Sequence, residues 1–314
     1  MATTRHRTGL GPDAPDVLFM PFRAWGSDGF QRGLIAASLT LGLVLVLVLG
    51  PAASRSHAAS MFGTLRAPGE PALIAGHRGD RATAPENTLP SFESALAGPM
   101  TFVETDVRLS ADGVPVLMHD ATVDRTTDGA GAVAELTLAE LKLLDAGTWY
   151  DTHFANTRIP TLDEFLDLLV DSRKKAMIEL KGVWAVETVT IVDELIRAHG
   201  VESRIILASF EEETMMALQE AVELPRVLLC RELPPDAVAT VSDFGAIALI
   251  TNPDAIESRP EVVDELHKAG LGVLLYTLNK TRNWSEALAL GVDGIITDKP
   301  STLDGWLAES APGT

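Results

Sequence analysis

TFVETDVRLSADGVPVLMHD, residues Thr101 to Asp120, is the stretch around which the rest of the chain falls into place. Phe102 to Leu109 reads as a strand that carries Glu104 and Asp106 at i and i+2. Residues two apart on a strand share a face, so the two carboxylates converge on one spot, in outline a site for a hard cation. Ser110-Ala111-Asp112-Gly113 reads as a tight turn and Val114 to Met118 as a returning strand, which delivers His119 and Asp120 beside the same acids. A strand returning from a tight turn cannot run parallel to its predecessor. The second one is therefore expected as a hairpin arm over a rim.

Outward from this stretch, short apolar runs alternate with helical patterns from Pro71 onward, the signature of parallel βα units. The strand candidates are Ala72–Ala75, Phe102–Val107, Ala176–Leu180, Ile205–Ala208, Val227–Cys230, Ala246–Ile250, Gly272–Thr277 and Gly294–Thr297. Eight such strands are what a TIM (β/α)8 barrel requires, so the expected fold is an α/β barrel with the hairpin and an inserted segment over its carboxyl rim. Helices are expected from Leu89 to Leu96 after Thr88, and after the capping boxes that begin at Thr137 and Thr161. Others are expected from Trp184 to His199, from Glu261 to Ala269, and from Trp284 to Leu290 with Asn283 as cap. Residues 121–175 are far longer than an ordinary connection and are read as the inserted segment.

A net charge of −19 over 314 residues excludes nucleic acid as a partner, because its phosphates call for a basic face. No protein partner is implied. An anionic substrate would have to be met locally, by a metal or by placed Arg and Lys. The single cysteine, Cys230, is read as a buried, inert thiol in an apolar run. Leu34 to Leu49 carries no charge and comes after Arg5, Arg7, Arg23 and Arg32, an order that keeps the amino end in the cytoplasm and sends the downstream chain across the membrane. The chain is therefore divided into a cytoplasmic n-region (1–33), a signal-peptide core or membrane anchor (34–53), a linker (54–70) and a barrel domain (71–314). Ser56-His57-Ala58 offers a cleavage site before Ala59, and the barrel is expected outside the cytoplasm, secreted or attached to the membrane through 34–53.

Barrel enzymes keep their chemistry at the carboxyl ends of the strands. There the first strand places His77, Arg78 and Gly79, the second Glu104 and Asp106, and the third Glu179 and Lys181. The seventh places Tyr276 and Asn279, and the eighth Asp298 and Lys299. Glu104, Asp106 and Glu179 suit Mg2+ or Ca2+ and fit zinc poorly, since neither Cys nor paired His joins them. The bland alternative is an ionic cluster in which the acids merely pair with Arg78 and Lys181. His77 and His119 flank the acids as a pair able to take and give a proton, while Arg78 and Lys181 would neutralise phosphate oxygens. Metal, cations and two imidazoles together describe phosphoryl transfer better than acyl transfer. His153, His199 and His267 are read as solvated.

With these residues in hand the chain resembles the glycerophosphodiester phosphodiesterase family. The resemblance rests on His77-Arg78-Gly79, Pro85-Glu86-Asn87-Thr88, Glu104-Thr105-Asp106, His119-Asp120, Glu179-Leu180-Lys181 and Thr297-Asp298, in family order from about Ala72 to Pro300. It implies a divalent-metal enzyme that splits a small-molecule glycerophosphodiester to sn-glycerol 3-phosphate and an alcohol. It assigns Glu104, Asp106 and Glu179 as metal ligands, His77 and His119 as acid-base residues, and Arg78 and Lys181 as phosphate contacts. One departure stands out: Tyr276 occupies a place near the seventh strand where the family commonly has Trp. It keeps an aromatic wall against the substrate but adds a hydroxyl to it. A lysophospholipase D-type activity on membrane lysolipids is the alternative; apolar residues of 121–175 lining the mouth would favour it. A barrel that has lost its catalysis is the rival of another class, but every ligand and both histidines are present.

Overall fold

The computed structural model describes residues 58–310. Its centre is a ring of parallel strands: β1 (Leu73–Gly76), β2 (Phe102–Leu109), β4 (Lys175–Leu180), β5 (Ile205–Ser209), β6 (Arg226–Leu229), β7 (Ala248–Thr251), β8 (Gly272–Leu275) and β9 (Gly294–Thr297). The ring closes because β1 pairs with β9 on one side and with β2 on the other, which completes the eight-stranded TIM barrel. β3 (Pro115–Leu117) lies antiparallel on the end of β2, with Leu117 opposite Val107, as the Asp112-Gly113 turn dictates. Every expected strand is present, with ends displaced by no more than two residues.

The period-two alternation of the strands divides their side chains between two environments. Val103, Val107, Ala176, Ile178 and Leu180 face outward into the core between strands and helices. Phe102 and Met177 face inward with Ala75, Ile206, Val227 and Ile250, filling the barrel's lower half. On the same inward faces, one and two pleats higher, β2 carries Glu104 and Asp106 and β4 carries Glu179. Parallel register sets Asp106 directly against Glu179. One strand pair therefore supplies both the hydrophobic floor and the acids above it.

The floor is closed by a short helix over residues 58–62. Ala58, Met61 and Phe62 are buried against the amino ends of the strands, where Phe62 meets Phe102 with ring centroids 6.0 Å apart. Gly272, the first residue of β8, leaves room for Phe62, since a Cβ there would lie 3.2 Å from the ring. The Lys175 ammonium donates to the carbonyls of Ser60 and Met61 at 2.8 and 2.7 Å and so caps the helix end. The start of the described part of the expected linker is thus packed structure, in which Ala58, Met61 and Phe62 complete a core while Ala59 and Ala67 stay exposed.

Outside the barrel, Thr137 and Thr161 cap their helices as expected, each with a Glu three residues on reaching back to the cap. The helix between β8 and β9 begins earlier than expected, at Thr281, so Asn283 lies inside its first turn and Lys280 is the cap. This seats Trp284, 1 % exposed, with its indole N–H donating to the Leu278 carbonyl. Of the inserted segment, the helix Leu162–Val170 joins the main core, Phe165 packing on Phe92 at 4.6 Å. The remainder wraps around β3 and forms a satellite core of Val116, Val123, Val133, Leu141 and Ile159. His199 and His267 are not solvated as expected. His267 lies 2.9 Å from buried Asp293 and His199 donates to the Leu195 carbonyl, both rings being mostly covered; His153 is exposed. Cys230 is half-buried, with burial pushing its thiol up. No helix among the described residues is long and apolar enough to cross a membrane, and the readings of 1–33 and 34–53 fall outside them.

Candidate active site

The first strand ends in a turn that only glycine permits. Gly79 has φ +86, and a Cβ there would lie 2.4 Å from the Ser91 hydroxyl. The close approach of chain and helix leaves Arg78 itself left-handed, at φ +56, with its amide donating to Glu104 Oε2 at 2.8 Å. The guanidinium pairs with Glu86 at 2.6 Å and lies 3.3 Å from Asp106. Asn87, also left-handed, donates from its amide nitrogen to Asp106 Oδ2 at 2.9 Å, while its carbonyl oxygen accepts from Thr105. The Pro85–Thr88 motif therefore works as a brace behind the acids.

Glu104, Asp106 and Glu179 each present an oxygen within 4.8 Å of the others, and all three are buried. The Lys181 ammonium lies 3.0 Å from Asp106 and 2.7 Å from Glu179. Burial, together with the charges of Asp106 and Glu179, holds Glu104 well above the usual carboxylate range. Burial and the charge of Asp106 push Glu179 up to about 7. Asp106 is held far below that range, because Lys181 and Arg78 outweigh its own burial. Three crowded carboxylates that resist ionising together are a donor set a divalent cation would satisfy, and the all-oxygen chemistry fits Mg2+ or Ca2+. The bland ionic-cluster alternative accounts for Arg78 and Lys181 but leaves Glu104 and Glu179 driven upward.

Both histidines are anchored in the same way. His77 Nδ1–H donates to Asp298 Oδ1 and His119 Nδ1–H to Asp120 Oδ1, each at 2.6 Å, which leaves both Nε2 atoms for chemistry. Asn279 fixes Asp298 in turn, donating to its Oδ2 at 2.7 Å and accepting from its backbone amide at 2.9 Å. Each anchoring carboxylate then meets an arginine: Arg81 lies 3.5 Å from Asp298, and Arg125 lies 2.5 Å from Asp120. Both arginines end on Glu86, at 2.8 and 2.7 Å. Glu86 is thus the node of a two-armed network reaching both imidazoles. Despite its burial, the arginines hold its carboxyl down at about 2. Burial lowers both histidines, with Arg78 pulling each the same way and the carboxylates opposing.

A cavity of about 210 Å3 joins these parts. His77, Arg78, Glu104, His119, Glu179 and Lys181 line its polar side, and Met177, Phe210, Leu229, Tyr276 and Ile296 its apolar side, with Arg231 at the edge. Every site residue expected from the sequence lies on it except Asp106, which sits just beneath. Among the described residues nothing from 121–175 lines it; that segment acts on the site through Arg125. Glu86 entered the sequence reading only as part of the Pro85–Thr88 motif, and Arg81 and Arg125 not at all, because their shared role exists only through the contacts of the folded chain. Phe210 and Arg231 were not singled out from the sequence either, although they come one and two residues after β5 and β6, where the strand-end rule could have found them.

The matches to known proteins agree with this geometry. The model of the glycerophosphoryl diester phosphodiesterase family matches residues 77–302. The chain belongs to that family. It is 35% identical to a glycerophosphodiester phosphodiesterase of Caldanaerobacter subterraneus subsp. tengcongensis over 74% of this chain and 96% of that one. It is 30% identical to a probable glycerophosphodiester phosphodiesterase 1 of Mycobacterium tuberculosis, over 78% of this chain and 96% of the relative. Among solved structures, an Oleispira antarctica phosphodiesterase in complex with the product sn-glycerol-3-phosphate superposes with a TM-score of 0.71 at 29% identity, over 74% of this chain and 95% of that chain. A glycerophosphodiester phosphodiesterase of Agrobacterium tumefaciens superposes with a TM-score of 0.65 at 32% identity, over 75% of this chain and all of the other. Membership of the family makes this chain an enzyme of the phosphodiesterase class.

Proposed function

We propose that the protein hydrolyses glycerophosphodiesters to sn-glycerol 3-phosphate and an alcohol, with a divalent cation held by Glu104, Asp106 and Glu179. One observation carries the reading: three mutually close, buried carboxylates stand beside one cavity with two imidazoles, each anchored at Nδ1 by its own carboxylate. The product seen in the Oleispira antarctica relative supports the same substrate class. When bound, Mg2+ or Ca2+ supplies Lewis acidity that draws charge off the phosphoryl oxygens.

The chain's own groups supply the rest. Arg78 and Lys181 hold the phosphate, Arg through its fork and Lys as a point charge. Neutral His77, its Nδ1–H tied to Asp298, takes the nucleophile's proton at Nε2. His119, similarly tied to Asp120, gives a proton from Nε2 to the leaving oxygen. Arg108 fixes the position of His119 by donating twice to its backbone carbonyl, at 3.0 and 2.8 Å. The lysolipid alternative draws no support from the cavity, because its apolar wall belongs to the barrel strands and the residues just past their ends, not to 121–175. The basic stretch ahead of the uncharged run from Leu34 supports an extracytoplasmic barrel, secreted or membrane-attached.

The reading is tested by measuring glycerol 3-phosphate release from a panel of glycerophosphodiesters, with and without chelator. Release by the wild type that chelator abolishes and Mg2+ or Ca2+ restores is the expected outcome. Turnover indifferent to chelator would remove the metal from the proposal, and no release from any diester would remove the activity.

A further inference from the structure

Three cations line the cavity, and their partners differ. Arg78 is paired with Glu86, and Lys181 with Asp106 and Glu179. The Arg231 guanidinium, among the described residues, has no carboxylate partner. Its place is set by the Phe210 ring, over which its central carbon lies 4.3 Å from the centroid. The Asn252 amide fixes the backbone beneath it by donating to the Arg231 carbonyl at 2.6 Å. Phe210 in turn meets Tyr276 edge-on, with centroids 5.8 Å apart, and has the Lys181 ammonium 5.8 Å from its own.

The arrangement selects for charge. In a chain of net charge −19 an exposed cation at a cavity edge lacks no acidic groups to pair with, yet this one is stacked on an aromatic ring and left open. A cationic alcohol arm would need an open aromatic face, and the π system of Phe210 already serves two protein cations. A phosphodiester has two arms. With the phosphate among Arg78, Lys181 and the acids, one arm must lie along the wall formed by Phe210 and Tyr276, toward Arg231.

We propose that Arg231, stacked on Phe210, is a specificity subsite for an anionic group on the alcohol arm of the substrate. The enzyme's preferred diesters are those whose alcohol carries a carboxylate or a further phosphate. The proposal rests on the phosphodiesterase reading above and deepens it.

Glycerophosphoserine and glycerophosphoethanolamine make the test, because they differ by one carboxylate. Glycerol 3-phosphate release is measured for wild type, R231A, R231K and R231E, and the readout is the kcat/KM ratio of the serine to the ethanolamine diester. The ratio is expected to exceed one in wild type and to fall by roughly 2- to 5-fold in R231A, the size of an exposed charge pair. R231K should retain part of it and R231E should invert the preference. Raising salt from 0.05 to about 0.5 M should compress the wild-type ratio and leave that of R231A unmoved, as screening of an exposed charge requires. Equal losses on both diesters in R231A, or a ratio insensitive to the charge at 231, overturn the subsite while leaving the activity standing. Release from neither diester by wild type overturns both.

Discussion

Arg125 clasps Glu86 in a two-toothed grip, donating to both of its carboxylate oxygens at 2.7 and 3.1 Å across 39 residues of sequence. Arg125 comes from the inserted segment and Glu86 from the loop after β1, so the contact ties the satellite core to the barrel. It also continues through Asp120 to His119, while Arg81 carries the matching arm to Asp298 and His77.

Replacement of Glu86 by Gln should therefore be felt in two ways. It leaves three arginines around a neutral amide, and breaking such a buried network should cost about 3 kcal/mol in denaturant unfolding. In the folded variant kcat should fall by about 10-fold or more while KM changes less, because both imidazoles lose their alignment. A KM-only effect would show that the node acts on substrate binding alone.

His77→Ala and His119→Ala should each lose at least ~10²-fold in kcat, the low end of a general acid-base contribution. The two separate by leaving group. With a p-nitrophenyl diester, whose departing oxygen needs no proton, His119→Ala should recover most of its loss and His77→Ala should not. The opposite pattern exchanges their roles.

Metal removal should be visible without turnover. Mg2+ or Ca2+ at about 100 times its Kd should stabilise the chelated protein by about 2.7 kcal/mol. Glu179→Gln should weaken that stabilisation. Equal thermal shifts in wild type and Glu104→Gln/Glu179→Gln would place the cation elsewhere.

The pH dependence of stability has a definite sign. Glu86, Asp120 and Asp298 are held at about 2 by their arginine and histidine partners, so their contribution is complete above the ordinary carboxylate range and is lost as pH falls toward 2. The lowered histidines add to this, since the unfolded chain takes up their protons first as pH drops below about 6.5. Glu179, raised to about 7, works in the other direction: without divalent cation, stability falls as pH rises from the ordinary carboxylate value to 7. Denaturant midpoints of chelated protein should therefore decline over that window relative to metal-loaded protein, and a constant difference would count against it.

Phe62→Ala should cost about 3 to 5 kcal/mol, the usual penalty for emptying an aromatic site, because Phe62 is 2 % exposed and seated on Phe102. The activity of the molecules that remain folded should be little changed, since the floor lies far below the acids.

The barrel and its acids were legible because they obey local rules. Strand alternation places Glu104, Asp106 and Glu179 on inward faces, and the Asp112-Gly113 turn brings His119 back to them. The features that stayed hidden depend on contacts between distant segments. Glu86 is picked out by the Pro85–Thr88 motif but without its link to the two imidazoles, and His267 reads as a surface histidine until Asp293 is seen beside it. The helix over 58–62 was masked by composition: alanine and serine in an extended stretch read as spacer, and only the hole left by Gly272 gives Phe62 a destination.

That closed floor also fixes a polarity. The described chain enters at the base of the barrel and does its chemistry at the opposite rim, so a bead, a carrier or any surface joined upstream of Ala58 would be tethered to the blind end.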